Sequence, residues 1–178
     1  MLIDYEKMVA FHGHSCPGLA IGYRMTVAAM AFLAQYRSED EELVAITENN
    51  ACGVDALQFI SGCTFGKGNL IFKDYGKQAY TFYARKSGRG VRVVLRQDSI
   101  PAAIKADRPS FIKWLLETDE TEVVSLQAVK IEAPEKAQIL ASVICDECGE
   151  AVMETRICSQ GGKNICIPCR DKNMDTVG

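Results

Sequence analysis

An α+β fold, with helices packed on a mostly antiparallel sheet, is what this 178-residue sequence predicts. Three observations carry the prediction. A long apolar segment of helical length opens at Pro17. Three strand-like runs crowd together between Leu70 and Arg96, separated by turn residues. Paired cysteines follow a proline-containing stretch near the C-terminus and mark a separate small module. Helices and strands segregated along the chain in this way point to α+β rather than to alternating βαβ units.

Residues 4–11 read as a short helix. "PGLAIGYRMTVAAMAFLAQYR" reads as a helix from Pro17 to about Arg37, apolar on most of its circumference and therefore buried. Proline suits its first position, where a missing N–H costs little. "LVAITE" (Leu43–Glu48) reads as a strand, and Cys52 to about Ile60 as a second helix carrying Leu57 and Ile60 on its apolar side. "SGCTFGKGN" is a glycine-rich turn. The strand-like runs are Leu70–Lys73, Ala79–Arg85 and Val91–Arg96. Tyr75–Gly76 and Ser87–Gly90 separate them with hairpin chemistry. "RPSFIKWLLET" reads as a helix with Ser110 near its start, and Val123–Ile131, rich in β-branched residues, as a strand. "EAPEKAQ" is a linker candidate around Pro134. It divides a core domain, residues 1–133, from a four-cysteine module, residues 139–172, after which the chain is expected to fray.

Composition narrows the function. Charged residues at 24% and hydrophobic residues at 48% are globular proportions and exclude disorder over most of the chain. A net charge of −3 gives no general pull toward nucleic acid or anionic membrane. No apolar run is long enough to span a bilayer. "MLIDYEKMVAF" lacks the layout of a secretory leader, so a cytoplasmic location is expected. Eight cysteines in a reducing compartment point to metal ligands or catalytic thiols rather than disulfides. Three lie before position 64 and five after position 140, which makes two separate sites.

In the C-terminal group, Cys145-x-x-Cys148 and Cys166-x-x-Cys169 stand 17 residues apart, within the spacing of a four-thiolate zinc site. Gly149 fits the turn after the first pair, and Gly161–Gly162 a hairpin tip between the pairs. So short a segment has little apolar material for a core, and metal binding would supply on the order of 10 kcal/mol of folding free energy. A closed four-thiolate set has no open position, so this zinc is structural. Cys158 is the odd cysteine, read as a buried small hydrophobe that could also compete as a ligand. Six acidic against four basic side chains from Cys145 onward argue against nucleic acid and for contact with a protein.

In the N-terminal group, "FHGHSCPG" places both histidines of the chain, His12 and His14, beside Cys16. Alternate residues of an extended loop point the same way, so the three could converge. Cys16 falls where the following helix needs an N-cap, and exposed N–H groups there favour a thiolate. Thiolate beside imidazole suits a zinc, iron, nickel or copper site, and equally a cysteine–histidine nucleophile pair. His14 and Cys16 are the candidate ligands of such a second metal. Cys52 and Cys63 flank the second helix, with Asp55 one turn beyond Cys52. At up to ~16 Å apart by helical rise, both cysteines cannot join one ion, and the sequence leaves open which does.

"GCTFGKGN" fails as a phosphate loop: Gly62 and Gly66 enclose three residues rather than four, and Lys67 precedes glycine. Its glycines could still let Lys67 approach a ligand. Eight Lys or Arg against the single Asp74 between Lys67 and Arg96 read as a solvated sheet face. Tyr80, Phe82 and Tyr83 read as core.

"FHGHSCPG" and "ENNACGVDALQFISGCTFGKGNLIFKDYGKQAYTFYAR" together resemble the FmdE family, the E-type component of formylmethanofuran dehydrogenase, over about Tyr5 to Ile131. The thiolate module resembles the zinc-finger extension that some members carry. The resemblance implies an α+β core, a treble-clef or ribbon-like finger, and a tightly intertwined homodimer. It also implies a cleft lined by His12, His14, Cys16, Cys52, Asp55, Cys63 and Lys67. It suggests a metal- or thiolate-site protein, an oxidoreductase component or an accessory of a one-carbon or molybdenum/tungsten redox enzyme. The redox chemistry of that enzyme resides in large subunits whose cofactor motifs this chain lacks. The alternative is a regulatory or metal-sensing protein whose finger mediates protein contacts.

Overall fold

The computed structural model describes residues 4–175, with side chains as far as Lys172. The chain divides into two compact units, Met1–Ala137 and Gln138–Gly178.

The first unit opens with α1 (Tyr5–His12), capped by Asp4, whose carboxylate accepts the Glu6 N–H at 3.0 Å. It stops at Gly13, which adopts φ +96° and returns its N–H to the Val9 carbonyl. Cys16, in extended backbone, then caps α2 (Pro17–Leu33). As its composition requires, α2 is buried on most of its circumference, with Leu19, Ala20, Met25 and Ala29 wholly inside. It ends four residues before the predicted Arg37. Ala34 takes a left-handed conformation at φ 52°, and its N–H returns to Ala31 and Met30. The turn lets Arg37 donate to the carbonyls of Gln58 and Phe59, and the Ser38 N–H to the Ser61 carbonyl.

β1 (Leu43–Thr47), α3 (Gly53–Ser61) and β2 (Leu70–Phe72) form a crossover unit in which β2 lies parallel to β1. Tyr75–Gly76 predicts a hairpin between the runs on either side, and none forms there. β1 instead lies between β2 and β3 (Ala79–Ala84), because the Glu48 carbonyl accepts the N–H groups of Tyr75 and Lys77 and carries the connection across the end of β1. The second expected hairpin is present: β3 pairs antiparallel with β4 (Arg89–Leu95). β5 (Val124–Val129) completes a five-stranded sheet in the order β2-β1-β3-β4-β5. Only the β1–β2 pair is parallel, so the sheet is mixed and mostly antiparallel.

Two short helices between β4 and β5 escape the sequence reading, α4 (Ala102–Ala106) and α6 (Glu120–Val123). Both are too short to show helical periodicity. Between them α5 (Arg108–Glu117) is capped by Asp107, whose carboxylate accepts the Ser110 N–H at 2.9 Å. Arg24 of α2 satisfies the far end of α5, donating to the carbonyls of Leu115 and Thr118 at 2.6 and 2.8 Å.

One face of the sheet meets the helices. Leu43, Ala45, Tyr80, Phe82, Val91 and Val93 join Leu19, Met25, Leu57 and Leu115 in a single core. Tyr80 and Phe82 are fully enclosed and Tyr83 nearly so, so these aromatics are core residues. The basic run is only partly solvated. Arg92 forms a bidentate pair with Glu48 at 2.9 and 3.0 Å, and Arg85 donates to the carbonyls of Pro134 and Glu135. The latter bonds hold residues 134–135 to the first unit.

The second unit contains a hairpin of β6 (Ser142–Ile144) and β7 (Ala151–Met153), then a 3-10 turn at Glu154–Arg156. β8 (Ile157–Gln160) and β9 (Lys163–Cys166) form a second hairpin, and α7 (Ile167–Asp175) closes the described chain. Gly161 and Gly162, at φ +59° and +78°, form the tip of the second hairpin, as the sequence predicts. Helix α7 continues past Lys172, where fraying is expected; residues 176–178 lie outside the described residues.

Helices α2 and α3 cross in backbone contact. A Cβ on Gly22 would lie 2.2 Å from the Gly53 carbonyl oxygen and 2.4 Å from its Cα. Neither neighbour is a side chain that could move aside. Gly22→Ala is therefore expected to destabilise the first unit by more than about 3 kcal/mol, the upper end for an added methyl in a packed core. A denaturant melt followed by circular dichroism measures it, and a Gly66→Ala control, at an exposed turn where an added Cβ meets nothing within 4 Å, tests that the effect belongs to the crossing.

Candidate metal centres

Four side chains of the first unit converge. One ligand atom each from His12, His14, Cys16 and Cys52 lie within 4.8 Å of one another. Each arrives by a different route. His12 is the last residue of α1, and Gly13 ends the helix there. His14 lies in the loop that follows, which the Tyr5 hydroxyl ties down at Ser15 Oγ, 3.0 Å away. Cys16 is the N-cap of α2, and its sulfur accepts the Leu19 N–H at 3.3 Å. Cys52 stands at the N-terminal end of α3.

Asn49 sets the loop before Cys52. Its Oδ1 accepts the Ala51 N–H at 3.0 Å, and its amide donates to the Lys77 carbonyl at 2.6 Å. Gly18 then admits the cysteine: a Cβ at Gly18 would lie 3.2 Å from the Cβ of Cys52.

The orientation of the His12 ring follows from its partner. Its Nδ1 lies 2.7 Å from Asp55 Oδ2. A carboxylate only accepts, so Nδ1 carries a proton, and in the neutral ring Nε2 then presents a lone pair. That Nε2 is buried and has no hydrogen-bond partner among the described residues. A buried acceptor left unpaired is costly, and carboxylate on one imidazole nitrogen with the other free is the arrangement of a metal-bound histidine.

The thiols point the same way. Burial and the neighbouring Cys16 raise the Cys52 thiol above its ordinary value. Two thiolates side by side need a cation between them. Tetrahedral bonds of about 2.0–2.3 Å put donors about 3.3–3.8 Å apart, so the present spacing suits one ion after a small contraction. Two imidazoles and two thiolates are a borderline-soft set, suited to zinc among the common divalent ions. Beneath them lies the Tyr80 hydroxyl, buried and without a hydrogen-bond partner among the described residues, close enough that a Cβ on Gly53 would meet it at 2.5 Å.

The remaining sequence candidates lie elsewhere. Cys63 follows the far end of α3, fully buried, and its thiol donates to the Leu43 carbonyl at 3.4 Å. Burial pushes that thiol up to about 11. Lys67 donates to the carbonyls of Ser38 and Glu39 at 3.3 and 3.2 Å and closes a turn. Of the two cysteines that flank α3, the one in the cluster is therefore Cys52. Sequence reasoning missed Asn49 and the glycines. The Gly18-x-x-x-Gly22 spacing on α2 was the available signal for the close helix crossing.

In the second unit the sulfurs of Cys145, Cys148, Cys166 and Cys169 also lie within 4.8 Å of one another, and this cluster could hold a metal ion. Cys145 and Cys148 occupy a tight turn in which Gly149 takes φ +75° and donates to the Cys145 carbonyl. Cys166 ends β9, and Cys169 stands in the first turn of α7. Backbone N–H groups of Cys148 and Cys166 lower the Cys145 thiol to about 6, whereas neighbouring sulfurs raise Cys169 to about 12. The cradle readily stabilises one negative charge, and four thiolates require a dication. Cys158 stands outside the set, half-buried, and accepts from Arg170 Nη1 at 3.4 Å rather than packing as a plain hydrophobe.

The family described as "FmdE, Molybdenum formylmethanofuran dehydrogenase operon" matches residues 11–156. The chain belongs to the FmdE family. A solved FmdE relative is a tungsten formylmethanofuran dehydrogenase FmdE-like protein of Syntrophus aciditrophicus. It superposes with a TM-score of 0.73 at 28% identity, covering 96% of this chain and 94% of that one. A second relative, a "Probable S-adenosyl-L-methionine-binding protein" of Archaeoglobus fulgidus, is 31% identical over 94% of this chain. The chain spans about half the length of that relative, 52%.

If Asp55 fixes His12 for a metal, Asp55→Asn should weaken metal binding at the core cluster by about 10–100-fold, the usual effect of losing the group that orients a ligating histidine. Competition with a chromophoric chelator measures this, with the four-sulfur cluster as internal reference.

Proposed function

We propose that this FmdE protein is a two-metal protein. A transition metal, zinc by donor chemistry, is held in the core by His12, His14, Cys16 and Cys52, and a structural zinc by the four cysteines of the second unit. The observation that carries the core assignment is the buried, unpartnered Nε2 of His12, opposite the Asp55-bound Nδ1 and among the other three donors. A borderline ion there would supply Lewis acidity toward a sulfur or nitrogen donor. The chain itself orients His12 through Asp55, holds the Cys16 sulfur with the Leu19 N–H, and leaves His14 facing solvent.

The family description and the Syntrophus relative support a role as accessory to a one-carbon redox enzyme of the molybdenum or tungsten type. Eight free cysteines fit a reducing, cytoplasmic setting, and among the described residues no helix is long and apolar enough to cross a membrane. The family resemblance supports a homodimer.

A second reading takes support from the Archaeoglobus relative, named for S-adenosyl-L-methionine binding. Here the core binds a small molecule without turning it over, and the acidic second unit contacts a protein. Calorimetric titration with S-adenosyl-L-methionine distinguishes it: saturable binding favours this reading and its absence disfavours it.

Elemental analysis of protein purified without a metal-binding tag tests the two-metal assignment. Two metals per chain are expected in the wild type and one in His12→Ala or Cys16→Ala. Cys148→Ser should keep the core metal, lose the other, and unfold the second unit, whose stability rests on the ion. A wild-type chain with one metal, unchanged by His12→Ala, would remove the core site.

A further inference from the structure

The four donors of the core cluster are not held alike. His12 is anchored by the helix it ends and by Asp55 at 2.7 Å. Cys16 is 3% exposed, and its sulfur accepts a helix N–H. Cys52 is half-buried, pressed against the backbone of Gly18 at a helix end. His14 has none of this support. It is exposed, and neither ring nitrogen has a hydrogen-bond partner among the described residues. Its ring contact is with His12, centroid to centroid 4.6 Å at 37°. It follows Gly13, around which there is open space: a Cβ there would meet nothing within 4 Å.

A histidine that ligates a metal ordinarily has its second nitrogen fixed by a carboxylate, carbonyl or water, and this fixes the ring. His12 has such a partner and His14 does not. An unanchored imidazole on the solvent side can rotate away without disturbing the core. Three anchored donors and one open position are the pattern of a reactive rather than a structural site.

We infer that His14 is the displaceable member of the set. This rests on the reading that the core cluster holds a metal. His12, Cys16 and Cys52 form the permanent triad. His14 completes the set at rest and yields its place to an incoming donor. With two sulfurs and an imidazole already in place, the incoming atom belongs to the sulfur or nitrogen class, presented from the His14 side. His14 then stands beside the bound ligand as a free imidazole.

The test uses full-length protein with cobalt(II) in the core site, and imidazole as the added donor. His14→Ala is expected to retain the core metal, with affinity reduced less than about tenfold, while His12→Ala loses it by more than about a hundredfold. The cobalt absorption of His14→Ala should differ from that of the wild type and return toward it as millimolar imidazole saturates the vacated position. Retention of the second unit's metal and an unchanged circular dichroism spectrum show that the variant is folded. The proposal fails if His14→Ala empties the core site as completely as His12→Ala. It fails equally if the variant's cobalt spectrum matches the wild type and ignores imidazole. A wild-type chain with one metal would instead overturn the underlying metal assignment, so the two failures are distinguishable.

Discussion

The first unit depends on the backbone contact between α2 and α3. Gly22 and Gly53 leave no room for a side chain where the helices cross. One residue before Gly53 is Cys52; about a turn and a half before Gly22 is Cys16. Helix rise of about 1.5 Å per residue makes each thiol's position a direct function of where the glycines meet. A wider crossing would separate the sulfurs, and no loop adjustment could restore them, because both sit at helix ends. Only then do the histidines matter: α1 delivers His12 to a place the two helices have already defined, and Asp55, itself on α3, sets its orientation.

The two thiol clusters use the same electrostatics under opposite structural conditions. In the first unit, donors are mounted on a large core of sheet and helix side chains, to which Cys16 itself belongs and against which Cys52 packs. In the second unit few apolar side chains are buried, Ile165 among them, and the four sulfurs are the organising centre. In both, a neighbouring sulfur helps keep a thiol protonated, second to burial at Cys52 and as the leading cause at Cys169. In the first case the repulsion is a property of a preformed site. In the second it opposes the fold itself until a cation is present.

How much of this was legible depended on sequence separation. The paired cysteines of the second unit and the His12–Cys16 run were readable because ligand spacing is local. The α+β class was readable from periodicity. The choice between Cys52 and Cys63 was not, since it depends on which end of α3 meets α2. Cys63 and Lys67 share a motif with Cys52 but sit beyond the far end of that helix, in roles of packing and turn closure. Asp55 reads in the sequence as a neighbour of Cys52 that could orient a histidine or accept a proton, but which histidine is not marked: it is His12, 43 residues away. The parallel pairing of β2 was hidden because Tyr75–Gly76 carries hairpin residues, while the deciding interaction, the Glu48 carbonyl, is a backbone group with no sequence mark.

The burial of Cys63 sorts the thiols by chemical fate. Sulfur attacks peroxide or a disulfide as the thiolate, and needs access to do so. Cys63 has neither charge nor access, whereas Cys148 is exposed and Cys52 half so. Under oxidative stress Cys63 would stay reduced until the sheet itself came apart.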